Sequence, residues 1–363
     1  MVDDADAVGK LRPAPDERSV PELLAFGVVN LDKPPGPSAH QVAAWTRDLA
    51  ADALADAGTN DGRGEGSSDG RGESGDDEPG ESGDGESGEG SSDDEDDGRL
   101  RVDRAAHAGT LDPKVTGCLP LLLGDATRLA QALDDARKEY VAVLELHRPA
   151  PADFEATIAE FEGPLLQKPP RKSAVSRRLR VRTIHNLDVL ERADRRALLW
   201  ISCEAGTYVR KLCHDLGLAL GTGANMGDLR RTATGTFDDT TLATMHDLVD
   251  ALAVWREDGH EEAIREVVQP AERALSGLPR VTIAPSAARE VATGAPVYAP
   301  GVLGVEAPAE GPDAGAVPAP GEGDDAPLVA GYVPSGAAVC LGRLVGDPDA
   351  EQGLVVDLER VLV

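Results

Sequence analysis

The chain has 363 residues, of which 41% are hydrophobic and only 3% aromatic, and it carries a formal net charge of −29 with a pI near 4.5. This length allows two domains with a sizeable core, and the strong negative charge at first argues against a nucleic-acid-binding protein. The N-terminus lacks the apolar segment of a signal peptide and no run of about 18 apolar residues could span a membrane, so we expect a cytoplasmic protein.

The negative charge is concentrated in two segments. Residues 51–99 contain 18 acidic and 3 basic side chains, residues 301–327 contain 6 acidic and none basic, and the rest of the chain therefore carries only −8. Their low-complexity composition, rich in Gly with Ser or Pro, predicts two disordered insertions. Only 7 of the 36 basic residues are lysines, and scarce lysine on an acidic chain indicates adaptation to high intracellular salt.

Cysteine usage gives no sign of a metal site or a disulfide framework. The four cysteines have neither CxxC spacing nor a paired-histidine pattern. We therefore expect buried thiols in a reducing compartment, and the sequence predicts no metal ion and no cofactor.

The N-terminal part predicts an arm, a strand and a helix. Residues 1–25 form a polar arm whose first 20 residues are expected to be loosely held. The apolar run from Phe26 to Leu31 predicts a buried strand, which ends at a turn with three prolines. Ser38 and Gln41 form a capping-box pattern at the start of the helix.

The segment 107–117 is the strongest candidate for a functional site. Within it, Asp112 is a single carboxylate that is followed by a proline and then by an apolar run. Pro113 disfavours helical geometry at Asp112, and Gly109 and Gly117 allow the chain to bend on either side. A carboxylate on such a loop is well placed for chemistry. On local pattern alone, the alternative is an ordinary turn in which Asp112 bonds to its own backbone.

The middle of the chain predicts strands followed by an amphipathic helix. Residues 139–147 have apolar side chains on both faces, which is typical of a strand in the centre of a sheet. Residues 198–203 predict another strand. The helix after it has an apolar stripe made by Val209, Leu212, Cys213, Leu216 and Leu220. Arg210 lies at the rim of this stripe, from where an arginine can reach a carboxylate across a cleft and keep it ionised.

A basic strip over residues 167–182 contrasts with the acidic chain, because it has seven basic residues and no acidic one. Its members are Lys168, Arg171, Lys172, Arg177, Arg178, Arg180 and Arg182. Arg230 and Arg231 form a second, smaller basic site. We predict that both contact nucleic acid, and the alternative is a solvated or internally paired face.

The C-terminal part, beyond a boundary near residues 276–279, predicts a small β-barrel domain. Short β-rich runs separated by Gly and Pro make up this part: 280–283, 295–298, 328–333, 338–345 and 354–363. The second low-complexity insertion, residues 301–327, falls within it.

The Asp112 loop, the strand around Tyr140, the basic strip and the segment 206–210 together resemble the archaeal, dyskerin-type branch of the TruB pseudouridine synthases. The resemblance extends from Phe26 to the C-terminus, apart from the two insertions. It implies an α/β (α+β) fold, with a mixed-sheet catalytic domain over residues 26–276 and a small β-barrel PUA domain over residues 278–363. It also implies isomerisation of uridine to pseudouridine in RNA.

The resemblance implies three catalytic residues. Asp112 matches the catalytic aspartate, Arg210 the arginine paired with it, and Tyr208 the tyrosine near the reacting carbon. Uracil must leave the ribose, turn and rejoin it through C5, and this needs no redox cofactor or metal. An ionised carboxylate can act as nucleophile at C1′ of the sugar or at C6 of the base, and both possibilities stay open.

Three further residues are predicted to bind the substrate. Tyr140 matches the tyrosine that stacks on the target base, and His107 matches a histidine of the aspartate motif. Lys33 belongs to a motif that supports the catalytic loop in the family. We include all three in the predicted substrate-binding site.

The resemblance also implies partners. One possible substrate is the TΨC-arm uridine of tRNA. The other is rRNA, with an H/ACA guide RNA and three small proteins: a zinc-ribbon-like subunit, a glycine/arginine-type β-barrel subunit and a kink-turn-binding subunit. The alternative function, of a different class, is a non-catalytic RNA-binding scaffold with a PUA domain. An acidic, chaperone-like binder that depends on residues 51–99 is a third reading.

Overall fold

The computed structural model describes residues 11–60, 100–168, 178–311 and 314–363. These residues form eight α-helices and two β-sheets. The helices are α1 (Val20–Ala25), α2 (Ala39–Asn60), α3 (Ala130–Asp134), α4 (Phe154–Ala159), α5 (Val209–Ala219), α6 (Met245–Asp258), α7 (Glu262–Val267) and α8 (Pro285–Ala292). No helix in these ranges is both long and apolar enough to cross a membrane.

The larger sheet belongs to the predicted catalytic domain. Its strands are β1 (Gly27–Lys33), β2 (Ala105–His107), β3 (Thr116–Leu123), β4 (Lys138–Leu146), β5 (Gly163–Gln167), β6 (Arg180–Arg192), β7 (Arg196–Cys203), β8 (Ala224–Thr234), β9 (Phe237–Asp238) and β10 (Val268–Pro270). Their order is β10-β1-β3-β8-β4-β7-β6-β5, with β2 on β3 and β9 on β8. β3 and β8 are parallel and the other pairs antiparallel, so the predicted mixed sheet is confirmed.

The predicted central strand and amphipathic helix are both present. β4 lies between β7 and β8 and pairs with each along most of its length. α5 packs against β8, and its predicted apolar stripe is buried. Because α5 begins directly after Tyr208, this packing fixes the position of Arg210 in its first turn.

The smaller sheet is a curled half-barrel of six strands. They are β11 (Arg280–Ile283), β12 (Val297–Tyr298), β13 (Val302–Glu306), β14 (Leu328–Tyr332), β15 (Ala338–Leu344) and β16 (Leu354–Val361), in the order β12-β16-β15-β14-β11-β13. Each of the five predicted runs contains a strand, although β12 covers only the last two residues of the run 295–298. The predicted disordered insertion at 301–327 is wrong at its start, because β13 pairs antiparallel with β11 there.

The N-terminal arm is packed against the protein over residues 11–25, so the prediction of a loosely held arm is wrong for this part. Arg18 is 1% exposed and pairs with Glu272 at 2.6 Å. The guanidinium carbons of Arg12 and Arg18 lie 4.2 and 5.3 Å from the centre of the Phe26 ring. These contacts hold the N-terminal segment against Phe26, next to β1, and against Glu272, between the two sheets in sequence.

The predicted start of the first insertion, at residue 51, is wrong. α2 starts with the predicted capping box between Ser38 and Gln41 and continues to Asn60, beyond the predicted boundary at residue 51. Ala50 and Ala53 are buried against the core, and this packing extends the helix. Residues 61–99 lie outside the described part of the chain.

Candidate active site

The carboxylate of Asp112 pairs with the guanidinium of Arg210 across 98 residues of sequence. Asp112 lies on the loop between β2 and β3, and Arg210 lies in the first turn of α5. The two side chains are 55% and 62% exposed, so a substrate can reach the pair. The backbone N–H of Val115 donates to the carbonyl of Asp112 at 2.9 Å, but the carboxylate itself is held by Arg210. The side chain of Asp112 is therefore paired with a distant residue and not with its own backbone, as the ordinary-turn alternative required.

Lys33 supports this loop from below. Its ammonium donates to the carbonyl oxygens of Pro34, Pro113 and Val115 at 3.0, 3.1 and 2.9 Å. Burial lowers the pKa of Lys33, and the charge of Asp112 opposes this shift. Because its side chain is fully buried, the prediction that Lys33 binds substrate is wrong. It holds the backbone on the C-terminal side of Asp112.

The second basic site does not face solvent as predicted. Arg231 is 1% exposed, and it donates to the carbonyl oxygens of Cys118 and Gly109 at 2.7 and 3.3 Å. The prediction that Arg231 contacts RNA is therefore wrong. Arg230 is half-buried and donates to both carboxylate oxygens of Asp32 at 2.9 and 3.0 Å, which raises the pKa of Arg230. This pairing competes with the predicted phosphate contact of Arg230.

His107 lies at the end of β2, just before the loop that carries Asp112, and contacts a second histidine. Its ring meets the ring of His40 edge to face, with centroids 4.6 Å apart. Burial, and then the neighbouring His40, lowers the pKa of His107, so its imidazole is neutral near pH 7. Its Nδ1 atom is buried and has no hydrogen-bond partner within the described chain.

The two predicted tyrosines differ in exposure. Tyr140 is on β4 and only 9% exposed, and burial raises the pKa of its phenol. Tyr208 is half-buried at the N-terminus of α5. Gln167 fixes its backbone, since its amide oxygen accepts from the N–H of Tyr208 at 2.9 Å. Gln167 is 3% exposed, and the sequence analysis missed this role. In the sequence Gln167 is only the first residue of the basic strip, and no local pattern signals this role.

The basic strip is in part exposed and in part engaged within the protein. Lys168 and Arg178 are exposed, and Arg180 is half-buried. Arg182 pairs with Glu204 at 2.7 Å, so it supports the turn that precedes Tyr208 and is a weaker candidate for RNA contact. The predicted residues Arg171, Lys172 and Arg177 lie outside the described residues.

A cavity of about 350 Å³ lies beside the loop that carries Asp112. Lys114 and Arg230 provide its cations, and Val141 and Val143 its apolar wall. In the described ranges, no three His, Cys, Asp or Glu side chains lie close enough together to hold a metal ion.

Comparison with protein families matches most of the larger domain. Residues 98–209 match the TruB family pseudouridylate synthase N-terminal domain, and residues 210–276 match the tRNA pseudouridylate synthase B C-terminal domain. Residues 12–43, which include the packed N-terminal segment, match the DKCLD (NUC011) domain.

Curated relatives and solved structures agree with these matches. The chain is 58% identical to the probable tRNA pseudouridine synthase B of Haloarcula marismortui, over 97% of this chain and 94% of the relative. It is 53% identical to that of Halobacterium salinarum, over 97% of this chain and 99% of the relative. These halophilic archaea fit the salt adaptation inferred above.

Among solved structures, a Cbf5-Nop10-Gar1 complex matches with a TM-score of 0.75 and 36% identity, covering 99% of this chain and 92% of the matched one. An H/ACA RNP bound to a substrate RNA containing 2′-deoxyuridine matches with a TM-score of 0.73 and 35% identity, at 99% and 92% coverage. Since these likenesses extend over nearly the whole chain, it belongs to the TruB/dyskerin family and is a pseudouridine synthase, an isomerase that acts on uridine in RNA.

Proposed function

We propose that this chain isomerises the TΨC-arm uridine of tRNA and, as the catalytic subunit of an H/ACA guide-RNA particle, uridines in rRNA. The observation that carries the proposal is the Asp112–Arg210 pair on an exposed loop held from below by Lys33. The names of the relatives support action on tRNA. The structural matches, which are Cbf5 proteins with Nop10, Gar1 or RNA, support action in a guide particle.

In this proposal Asp112 is the nucleophile. Its carboxylate attacks either C1′ of the ribose or C6 of the uracil. The N1–C1′ bond breaks, the uracil turns, and a C5–C1′ bond forms while the bond between Asp112 and the substrate breaks and releases the carboxylate. The C5 proton is lost and N1 gains a proton. Arg210 holds the carboxylate ionised and directed at the substrate by a charge-assisted hydrogen bond.

The two tyrosines act on the base. The target uridine must leave its stack, which costs a few kcal/mol, and stacking on Tyr140 returns roughly 1–3 kcal/mol. Tyr208, held by Gln167 next to Arg210, assists removal of the C5 proton. His107 stays neutral and contacts the substrate through its partly exposed ring.

RNA binding depends on the exposed members of the basic strip. Lys168, Arg178 and Arg180 contact phosphates, with Arg171, Lys172 and Arg177 as further candidates. High salt weakens such contacts because it screens charge and reduces the entropy gained by counterion release. Stacking, shape and pairing with a guide therefore carry more of the affinity in a salt-adapted protein.

The remaining assignments follow from the same family. The half-barrel over β11–β16 is a PUA domain that contacts RNA, and the protein acts in the cytoplasm, where its four free, buried thiols stay reduced. Its partners are tRNA, guide RNA, rRNA and the three small proteins named above: the zinc-ribbon-like, the glycine/arginine-type β-barrel and the kink-turn-binding subunit.

Tritium release from a [5-³H]uridine-labelled tRNA transcript in molar KCl tests the proposal. The full chain alone should release tritium if it acts on tRNA without a guide. A labelled rRNA fragment should release tritium only after guide RNA and the three small proteins are added. If the protein binds both RNAs but releases no tritium under either condition, the proposed catalytic function is wrong and the RNA-binding scaffold is favoured. Deletion of residues 61–99 should leave release intact, and loss of release would favour a role of the acidic segment in RNA binding or catalysis.

A further inference from the structure

Arg231 joins the two ends of the loop that carries Asp112. Its Nε atom donates to the carbonyl of Cys118 and its Nη1 atom to the carbonyl of Gly109. Gly109 lies three residues before Asp112 and Cys118 six residues after it. A guanidinium is planar and rigid, so it fixes the distance between the two carbonyls that it bridges. Lys33, in contrast, bonds to this loop only on the side after Asp112, at Pro113 and Val115.

The backbone of the loop is built around this arginine. The strand β8 pairs in parallel with β3, so that Arg231 lies beside Gly117. A Cβ atom on Gly117 would lie 2.2 Å from the carbonyl oxygen of Arg231, and the φ angle of Gly117 is +96°. At the other end, Gly109 has a φ of +80°, and a Cβ there would lie 3.2 Å from Nη1 of Arg231. Both glycines permit the close approach of loop and arginine.

The site also contains more positive charge than packing alone would require. Lys138 is 5% exposed and lies at the same end of the loop, with its Cε atom 3.4 Å from the Cβ position of Gly109. Burial, and then the charge of Arg231, lowers the pKa of Lys138 to about 8. No carboxylate of the described chain pairs with Arg231, and its Nη2 is buried without a partner. An apolar side chain would serve stability as well or better, which points to a role in the reaction.

We propose that Arg231 is a positioning residue for the isomerisation, acting through the backbone of the catalytic loop. It sets the width of the loop at Gly109 and Cys118 and thereby places Asp112 against Arg210 and the target uridine. Arg231 is also the register partner of Tyr140 on β4, so one residue aligns the loop with the strand of the base-stacking tyrosine. The inference rests on the proposed role of Asp112.

The test compares Arg231→Met and Arg231→Lys with Arg18→Met in the full chain. Arg18 is an equally buried arginine that pairs with Glu272, outside the catalytic loop. For each variant, the single-turnover rate of tritium release, the Kd for the same RNA and the Tm are measured. We expect Arg231→Met to lower the rate roughly 10²-fold with an unchanged Kd. Arg231→Lys should recover only part of the rate, because the ammonium keeps the charge but lacks the rigid spacing of the two guanidinium donors. Arg18→Met should lower the Tm at least as much and keep the rate within about threefold of the wild type below its Tm.

Three results would overturn the inference. They are a wild-type rate for Arg231→Met, an equal rate loss in Arg18→Met and Arg231→Met, or weaker RNA binding by Arg231→Met with a smaller salt dependence. The last result would restore Arg231 as a phosphate contact. If Arg231→Met does not fold, Arg231→Lys decides, since a rate equal to the wild type would contradict the bridge. No release by the wild-type protein under any condition would instead overturn the proposed function itself.

Discussion

The cations beneath the catalytic loop and those of the basic strip are the same residue types, lysine and arginine, in two different environments. Lys33, Lys138 and Arg231 are at most 5% exposed and donate to backbone carbonyls. Lys168 and Arg178 of the strip are exposed to solvent. A buried donor fixes a geometry, because its hydrogen bonds are directional and no water competes for them. An exposed cation acts on a phosphate through a screened charge. The first group should therefore determine the rate and the second the affinity.

The largest effect on the rate, apart from loss of Asp112 itself, is expected from Arg210→Met. Without the guanidinium, the carboxylate of Asp112 loses the group that aims it, and single-turnover tritium release should fall by roughly 10²-fold or more. Arg256→Met is a matched control, because Arg256 is also a partly exposed helical arginine in an ion pair, with Asp56. Equal losses in both variants would mean that the Asp112–Arg210 pair has no special role.

Lys33→Met should lower both the rate and the stability. Removing the ammonium takes one donor from each of three carbonyl oxygens, of which that of Pro113 still accepts from the N–H of Gly36 at 2.8 Å. The free energy of unfolding should therefore fall by roughly 2–4 kcal/mol. The loosened loop should slow single-turnover release by roughly 10- to 100-fold. Denaturant unfolding and the release assay measure the two effects. An intact rate in a destabilised variant would show that Lys33 supports the fold but not the loop.

Lys138 should make the stability depend on pH. Its pKa is about 8 in the folded protein and about 10.4 in the unfolded chain. Between these values the unfolded state binds more protons, so stability rises with pH, whereas below pH 8 the full cost of burying the charge is present. From pH 7 to 10.5, the free energy of unfolding of the wild type should therefore rise by roughly 3 kcal/mol relative to Lys138→Met. A difference that does not change with pH would contradict the lowered pKa.

The smallest effect is expected from Arg178→Ala in the basic strip. Loss of one phosphate contact should weaken RNA binding by a few-fold and reduce the slope of log K against log salt by roughly 0.7–0.9. The rate at saturating RNA should not change. Arg195→Ala is the control, since Arg195 is 62% exposed in the turn between β6 and β7. Identical slopes for Arg178→Ala and the wild type would remove Arg178 from the RNA interface.

Much of the fold could be predicted, because the elements concerned have clear local patterns. The strand β11 and the apolar stripe of α5 are examples, since each is set by the spacing of its own apolar residues. β13 was missed because it lies in a Gly- and Pro-rich segment and is stabilised by its pairing with β11. The N-terminal segment was missed for a similar reason. Its ordering comes from the contacts of Arg12 and Arg18 with distant residues.

The site shows the same division between local pattern and tertiary contact. The family pattern correctly brought Asp112 and Arg210 together. It did not separate Arg230 from Arg231, which are adjacent and equally basic. Side chains alternate between the two faces of a strand, so a register for β8 would have placed one inside and one outside. Which one is inside depends on the pairing of Arg231 with Gly117 and Tyr140, and this pairing is not visible in the sequence.

The most direct test of this account is to measure tritium release and RNA binding together for Asp112→Asn. The amide keeps the shape of the side chain but removes the charge that attacks the substrate and pairs with Arg210. We predict that the variant binds RNA with a Kd within about twofold of the wild type, and that its single-turnover release falls by roughly 10³-fold or more. Release within tenfold of the wild type would show that Asp112 is not the catalytic group.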